Sequence, residues 1–212
     1  MDWLLVGALR EEVQPVVATL ENPRRIDRRT VCGTLHGARI AVVRCGVGPD
    51  AAGSRTRAAI EKFAPKWVAS FGTCGSLSQT LPVGTVVSAS RIARLNTPWQ
   101  NVPTLEGCTP VDLITISAPA WNEESAIPLR AQGAEVCEME AAAVLEAAGD
   151  RPTYAVKVVS DVVGLSKPPR ILRGGLPHPA DLLAFKRLAR QLTQDHLVPT
   201  LNALVYSVFS GT

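Results

Sequence analysis

Short apolar runs closed by glycine alternate along the chain with stretches whose apolar residues recur at helical spacing. Residues 3–6 form such a run, closed by Gly7, and predict a buried strand. From Glu11 to Leu20 the apolar positions Val13, Val16, Val17 and Leu20 predict a helix. Residues 30–35 and 39–45 flank His36-Gly37 and predict a hairpin. Gly46-Val47-Gly48 follows, and Pro49 opens a helix to about Phe63, proline being favoured at the first helical position. Residues 67–71 predict a strand that ends in the turn Gly72-Thr73-Cys74-Gly75. Further strands are expected at 85–90, 113–117, 135–137 and 154–159, with a breaker-rich loop at 96–108. Residues 139–148 are alanine-rich and helical, 181–197 form an amphipathic helix, and a shorter helix starts near Thr200.

Strands that alternate with helices predict a three-layer α/β/α fold around a largely parallel sheet. The early hairpin adds antiparallel pairing, so the expected sheet is mixed, mostly parallel and twisted. No linker, repeat or low-complexity tract divides the chain, which is read as a single domain over 1–212. A globule of this length removes roughly 70% of its unfolded surface from water, enough for a core without staples.

Composition narrows the function. The net charge is +3, and the densest basic stretch, Arg24, Arg25, Arg28 and Arg29, reads as a solvated turn. A nucleic-acid face would need a larger basic patch or a recognisable module, so no nucleic-acid partner is expected. The five cysteines are odd in number and contain no CxxC pair, which predicts reduced thiols. His36, His178 and His196 lack spaced partners, so neither metal nor cofactor is expected. With no basic leader before the first apolar run, and 197–209 too short to span a bilayer, a cytoplasmic location is expected.

Sites in open α/β sheets form beyond the carboxyl ends of strands. Here those ends carry Gly7 to Glu12, Gly46 to Gly48, Gly72 to Gly75, Glu138-Met139-Glu140 and Ser160-Asp161. Taken singly, each has an ordinary explanation. Glu11 and Glu12 suit the first turn of a helix, where carboxylates meet the positive end of the macrodipole. Asp161 after an apolar strand is more pointed, because a carboxylate at a buried strand end needs a partner.

Taken in order, these pieces resemble the nucleoside phosphorylase family that includes the methylthioadenosine/S-adenosylhomocysteine nucleosidases. Residues 7–13 (GALREEV) resemble the nucleosidase opening Gly-Ala-Met-Glu-Glu-Glu-Val, and Gly46-Val47-Gly48 resembles its Gly-Ile-Gly loop. Residues 71–77 (FGTCGSL) resemble its Gly-Ser-Ala-Gly-Gly-Leu or Gly-Ser-Cys-Gly turn. Glu138-Met139-Glu140-Ala141 is similar to the ribose-binding Glu-Met-Glu-Ala signature, and Val158-Val159-Ser160-Asp161 to the Ile-Ser-Asp of the purine site. The resemblance implies cleavage of the bond between a purine base and ribose. It makes Glu12 the catalytic group that binds and activates water and Asp161 the one that protonates or hydrogen-bonds the purine N7, supported by Ser160. Glu138, Met139 and Glu140 would form the ribose segment, with Glu140 accepting from the hydroxyls and Thr73 near the nucleophile. Trp121 is a candidate for stacking on the base, with a core or surface tryptophan as the other reading.

The departures matter as well. Lys157 stands where nucleosidases usually carry arginine, and the stretch between Ser90 and Glu138 is short. Phosphorylases of this family place an arginine before the glycine turn to grip phosphate, whereas Ser70 and Phe71 stand there in this chain. Hydrolysis is therefore preferred to phosphorolysis, with Arg10 and Arg44 left as phosphate ligands to examine. A shortened middle also resembles a subgroup that acts on an adenosyl group carried by a hopanoid lipid. A purine-binding protein without catalysis is the alternative of another class. The family resemblance and the apolar character of Val42, Val43 and the 49–63 helix predict a homodimer.

Overall fold

The computed structural model describes residues 1–166, 170 and 177–210, with the side chains of 209 and 210 excepted. Strand β1 (Trp3–Gly7) lies at the centre of the fold, buried along its whole length. It pairs in parallel with β4 (Ala38–Arg44) on one side and β5 (Trp67–Ser76) on the other. Because side chains on a strand alternate between faces, β1 serves two cores. Trp3 and Leu5 pack with Val13 and Val16 of α1 (Arg10–Val17), Leu192 of α5 (Pro179–Leu192), and Leu201, Leu204 and Val205 of α6 (Val198–Ser210). Leu4 and Val6 pack on the opposite face with Ala52 and Ile60 of α2 (Pro49–Phe63) and Val144 of α4 (Ala141–Ala148). The result is the expected three layers around a mixed sheet.

Beyond β5 the sheet closes on itself. From β5 it passes through β9 (Val136–Glu138), β8 (Thr109–Thr115), β6 (Val86–Arg94) and β10 (Thr153–Val162), which pairs back onto β5. The β1–β5, β5–β10, β6–β8 and β8–β9 pairings are parallel, while β5–β9 and β6–β10 are antiparallel. At the other end, β3 (Thr30–Leu35) and β4 form the expected hairpin, and β2 (Glu21–Arg25) adds the edge. The two-residue strand β7 (Gln100–Asn101) pairs only with β6.

Several expectations change. Residues 72–75 are not a turn; β5 continues through them to Ser76, because β10 supplies a partner along that whole stretch. Strand β10 likewise runs past Val159 to Val162, so Ser160 and Asp161 lie within it. Arg24 and Arg25 belong to strand β2 rather than to a turn, and every residue of that strand is exposed. Its Pro23 hid it, yet proline is tolerated on an edge strand. Helix α3 (Glu123–Ala131) was masked by Pro128, and its start is set by Asn122, whose side chain accepts from the Ser125 N–H at 2.9 Å. The helix expected over 181–197 ends as α5 and widens into a π-helical turn, Thr193–Leu197, before α6. Pro199, which lacks an N–H, follows at once and cannot serve the ordinary ladder.

The motive for a homodimer through Val42 and Val43 does not survive. They are 0% and 3% exposed in the central sheet, and the apolar face of α2 is spent on the core.

Replacing Leu5, fully buried between sheet and helices, with alanine should cost about 2–5 kcal/mol. Urea unfolding checks this, and a cost below about 1 kcal/mol would contradict the two-sided core.

Candidate active site

The carboxyl ends of β1, β5, β9 and β10 converge on one cavity. Gly7 ends β1, and Glu12 sits in the first turn of α1, almost wholly buried. Its Oε2 accepts the Leu9 N–H at 2.9 Å, the reach-back of a capping box. Its Oε1 accepts both the Thr73 N–H (2.9 Å) and the Thr73 hydroxyl (3.0 Å). The preceding residue, Gly72, has φ of +144°, and a Cβ there would stand 2.8 Å from Glu12 Oε1. Only glycine lets strand β5 come so close to this carboxylate.

Glu138, Met139 and Glu140 connect β9 to α4. Glu138 is brought to the cavity wall, but its carboxylate is engaged internally. It accepts from the Thr115 hydroxyl (2.6 Å), the Lys157 ammonium (2.8 Å) and the N–H groups of Glu140 and Ala141 (3.0 Å each). It lines the cavity with its carboxylate already occupied by these four groups. Half-buried Met139 and buried Glu140 line the cavity. Glu140 Oε1 accepts the Gly48 N–H at 2.8 Å, which explains the Gly46–Gly48 loop. Burial, and after it the neighbouring Glu138 carboxylate, pushes the Glu140 carboxyl up to about 7, while Lys157 and the Gly48 N–H oppose the rise.

Asp161 owes its aim to a bulge. Val159 stands opposite Cys74, and Asp161 opposite the very next residue, Gly75, so Ser160 is extra. Val159 and Val162 consequently reach the same apolar cluster although three positions apart. The bulge turns Asp161 to the opposite face, under α5. The Ser160 hydroxyl lies 2.7 Å from Asp161 Oδ1 and 3.2 Å from the Cys74 carbonyl. Burial raises the Asp161 carboxyl above its ordinary value, and the Ser160 hydrogen bond opposes that rise. Cys74 and Cys137 also border the cavity. Burial holds the Cys74 thiol well above its usual range and pushes Cys137 up to about 12, so neither is a thiolate nucleophile.

Thr73, Ser160 and Trp121 complete the expected set around the cavity. Trp121, 37% exposed just before α3, lines the cavity and is not a core tryptophan. The sequence did not single out Leu182, Phe185 and Lys186 of α5, which also line the cavity. The i, i+3 spacing of Leu182 and Phe185 was the available signal, but helical periodicity does not tell a core stripe from a cavity wall. Lys186 is the one cation among the described residues that line the cavity, 3.7 Å from Glu11. Arg10 and Arg44 do not line it. Among the described residues, no group of three or more His, Cys, Asp and Glu is arranged to hold a metal ion.

The raised Glu140 carboxyl has a consequence for stability. Below pH 4.5 the group is protonated whether the chain is folded or not. Between pH 4.5 and about 7 the unfolded chain releases a proton that the folded chain keeps, so stability falls across that window. At about 1.36 kcal/mol per unit the loss is on the order of 3 kcal/mol. Glu140→Gln should therefore melt higher than the wild type at pH 8 and level with it at pH 4. A variant less stable than the wild type at pH 8 would contradict this electrostatic account.

Comparison with known proteins places this chain in a family. Residues 2–113 match the sequence model described as Phosphorylase superfamily. The 5'-methylthioadenosine/S-adenosylhomocysteine nucleosidase of Shewanella oneidensis is 33% identical over 91 residues, 42% of this chain and 39% of that protein. The nucleosidase of Shewanella sediminis is 32% identical over 91 residues, 40% of its own length, so the match covers well under half of these curated relatives. Among solved structures, the nucleosidase of Colwellia psychrerythraea in complex with adenine superimposes with a TM-score of 0.76 at 18% identity, over 95% of this chain and 94% of that one. The S. pneumoniae nucleosidase with a transition-state inhibitor gives 0.78 at 16% identity, over 96% and 100%. Futalosine hydrolase of Helicobacter pylori gives 0.77 at 15% identity, over 98% of each chain. The structures share the fold, the family match runs through more than half of the sequence, and the chain belongs to the phosphorylase superfamily.

Proposed function

We infer that the protein is a nucleosidase that hydrolyses the N-glycosidic bond of a purine nucleoside of the methylthioadenosine or adenosylhomocysteine kind, releasing adenine. The observation that carries this is the setting of Glu12. Three donors fix its carboxylate on the wall of a cavity that also holds Glu140 and Asp161. Breaking this bond builds positive charge on the ribosyl ring and negative charge on the departing base. Asp161, held above its ordinary pKa by burial, is suited to protonate the base. A positioned acid of this kind contributes roughly 10²–10⁴-fold. Glu140 accepts from the ribose hydroxyls, and Met139 packs beside the sugar. Trp121 offers an aromatic face to the base. Glu12 takes the proton of the attacking water, while Thr73 keeps the carboxylate in place.

Water is preferred to phosphate on electrostatic grounds. A phosphate charge about 4 Å from a carboxylate is repelled by about 4 kcal/mol at an effective dielectric near 20. An arginine fork would offset that, and no arginine lies among the described residues lining the cavity. The relatives matched in sequence are named nucleosidases, which supports the same choice. A homodimer and a cytoplasmic location belong to this reading. Sedimentation of a monomer at micromolar concentration would remove the dimer.

Asp161→Asn should keep the fold by circular dichroism and lose roughly 10²–10⁴-fold in turnover. In the wild type, activity should decline on the alkaline side as Asp161 gives up its proton, from a higher pH than an ordinary aspartate allows. Equal losses of melting temperature and of activity in the variant would mark Asp161 as structural instead.

The deciding experiment is base release from methylthioadenosine, adenosine and inosine, with and without phosphate. Adenine release that is indifferent to phosphate, with a free ribose or 5'-substituted ribose as co-product, is the expected result. Glu12→Gln should abolish it while adenine still binds. Strict phosphate dependence with a sugar 1-phosphate product would overturn hydrolysis. Binding without base release would make the protein a purine carrier.

A further inference from the structure

Lys157 is a charged residue that the reaction above leaves unused, and it is 2% exposed on β10. Taking an ammonium out of water costs several kcal/mol unless good partners meet it. Its Nζ lies 2.8 Å from Glu138 Oε2 and 3.1 Å from the Ser70 hydroxyl. Burial works against the charge, and the carboxylates of Glu138, Glu140 and Glu12 outweigh it, so the side chain stays an ammonium.

The contacts of Lys157 lead to Glu140. Glu140 occupies the residue before the first turn of α4, the place where a side chain normally caps the helix. It makes no such bond. Glu138 does the capping from two residues upstream: it accepts the N–H groups of Glu140 and Ala141, and the Thr115 hydroxyl bonded to it accepts that of Ala142 at 2.9 Å. Glu140 is thereby released to meet Gly48 and the cavity. The Glu138 oxygen that takes the Glu140 N–H is the same one that takes the Lys157 ammonium.

We propose that Lys157 is a positioning residue for Glu140: it fastens Glu138 as a borrowed cap for α4, which leaves the Glu140 carboxylate free to hold the ribose. The proposal rests on the reading of Glu140 as the ribose acceptor. Lys157 touches no substrate in this scheme and acts through Glu138. A purely structural lysine would do no more than neutralise a buried carboxylate, and the two roles separate experimentally.

The test uses the full chain in three forms, with methylthioadenosine for turnover and adenine for binding. Lys157→Arg keeps a cation against Glu138 and should stay within about tenfold of wild-type kcat. Lys157→Met leaves Glu138 unpaired and risks misfolding, so the decisive variant is Lys157→Met with Glu138→Gln. That pair removes both charges and leaves a neutral side chain that can still accept from Thr115 and from the Ala141 N–H but has lost the ammonium that fastens it. It should melt near the wild type and bind adenine within about twofold, since Asp161, Ser160 and Trp121 are untouched. Its kcat should fall about 10²-fold, the penalty typical of a group misplaced by about 1 Å. Wild-type kcat in the double variant would overturn the proposal and leave Lys157 as a counter-ion. Loss of adenine affinity in step with turnover would overturn it as well, by showing a general collapse of the site. Absence of base release by the wild type would instead overturn the nucleosidase reading, and this proposal with it.

Discussion

Four carboxylates are withdrawn from water around one cavity, and the structure is arranged by what each needs in return. An ionised carboxylate leaving water costs several kcal/mol unless donors are waiting for it. Those donors come from separate segments. Glu12 is met from its own helix start and from β5, Glu138 from β8, β10 and α4, Glu140 from the loop after β4, and Asp161 from its neighbour Ser160. Strands far apart in sequence must therefore end at the same level, and the closed ring from β5 to β10 brings them there.

The donors are distributed unevenly, and the unevenness divides the labour. Glu138 is saturated and has become structure. Glu12 is gripped at both oxygens by neutral donors. Glu140 has a single backbone donor and a carboxylate neighbour, and its carboxyl rises to about 7. Asp161 has one hydroxyl and rises too. Chemically identical groups set apart by environment in this way are the usual basis for assigning acid and base roles.

Much of this was legible in the sequence because the physics was local. The apolar run of residues 3–6, the proline opening α2 and the glycines at strand ends each act within a few residues. What escaped depended on partners distant in the chain. Strand β2 exists because β3 offers it an edge, against the preference of Pro23. The continuation of β5 through Gly72 needs β10 alongside. Glu138 has partners, Thr115 and Lys157, that its own stretch of sequence does not announce, because they come from other strands. Phe185 and Lys186 reach the cavity from a helix whose own pattern says nothing of what it covers.

The bulge at Ser160 makes the chemistry of β10 sensitive to register as well as to composition. If Ser160 were drawn into the ladder instead, β10 would pair regularly with β5, since the irregular step between Val159 and Asp161 would vanish. Side chains beyond that step would change sides together, as any single-residue slip dictates. The aspartate would then point into the closed ring among Val159 and its neighbours instead of under α5. Regular pairing of the same residues would yield a tidier sheet and a mute cavity, with every functional amino acid still present in the chain.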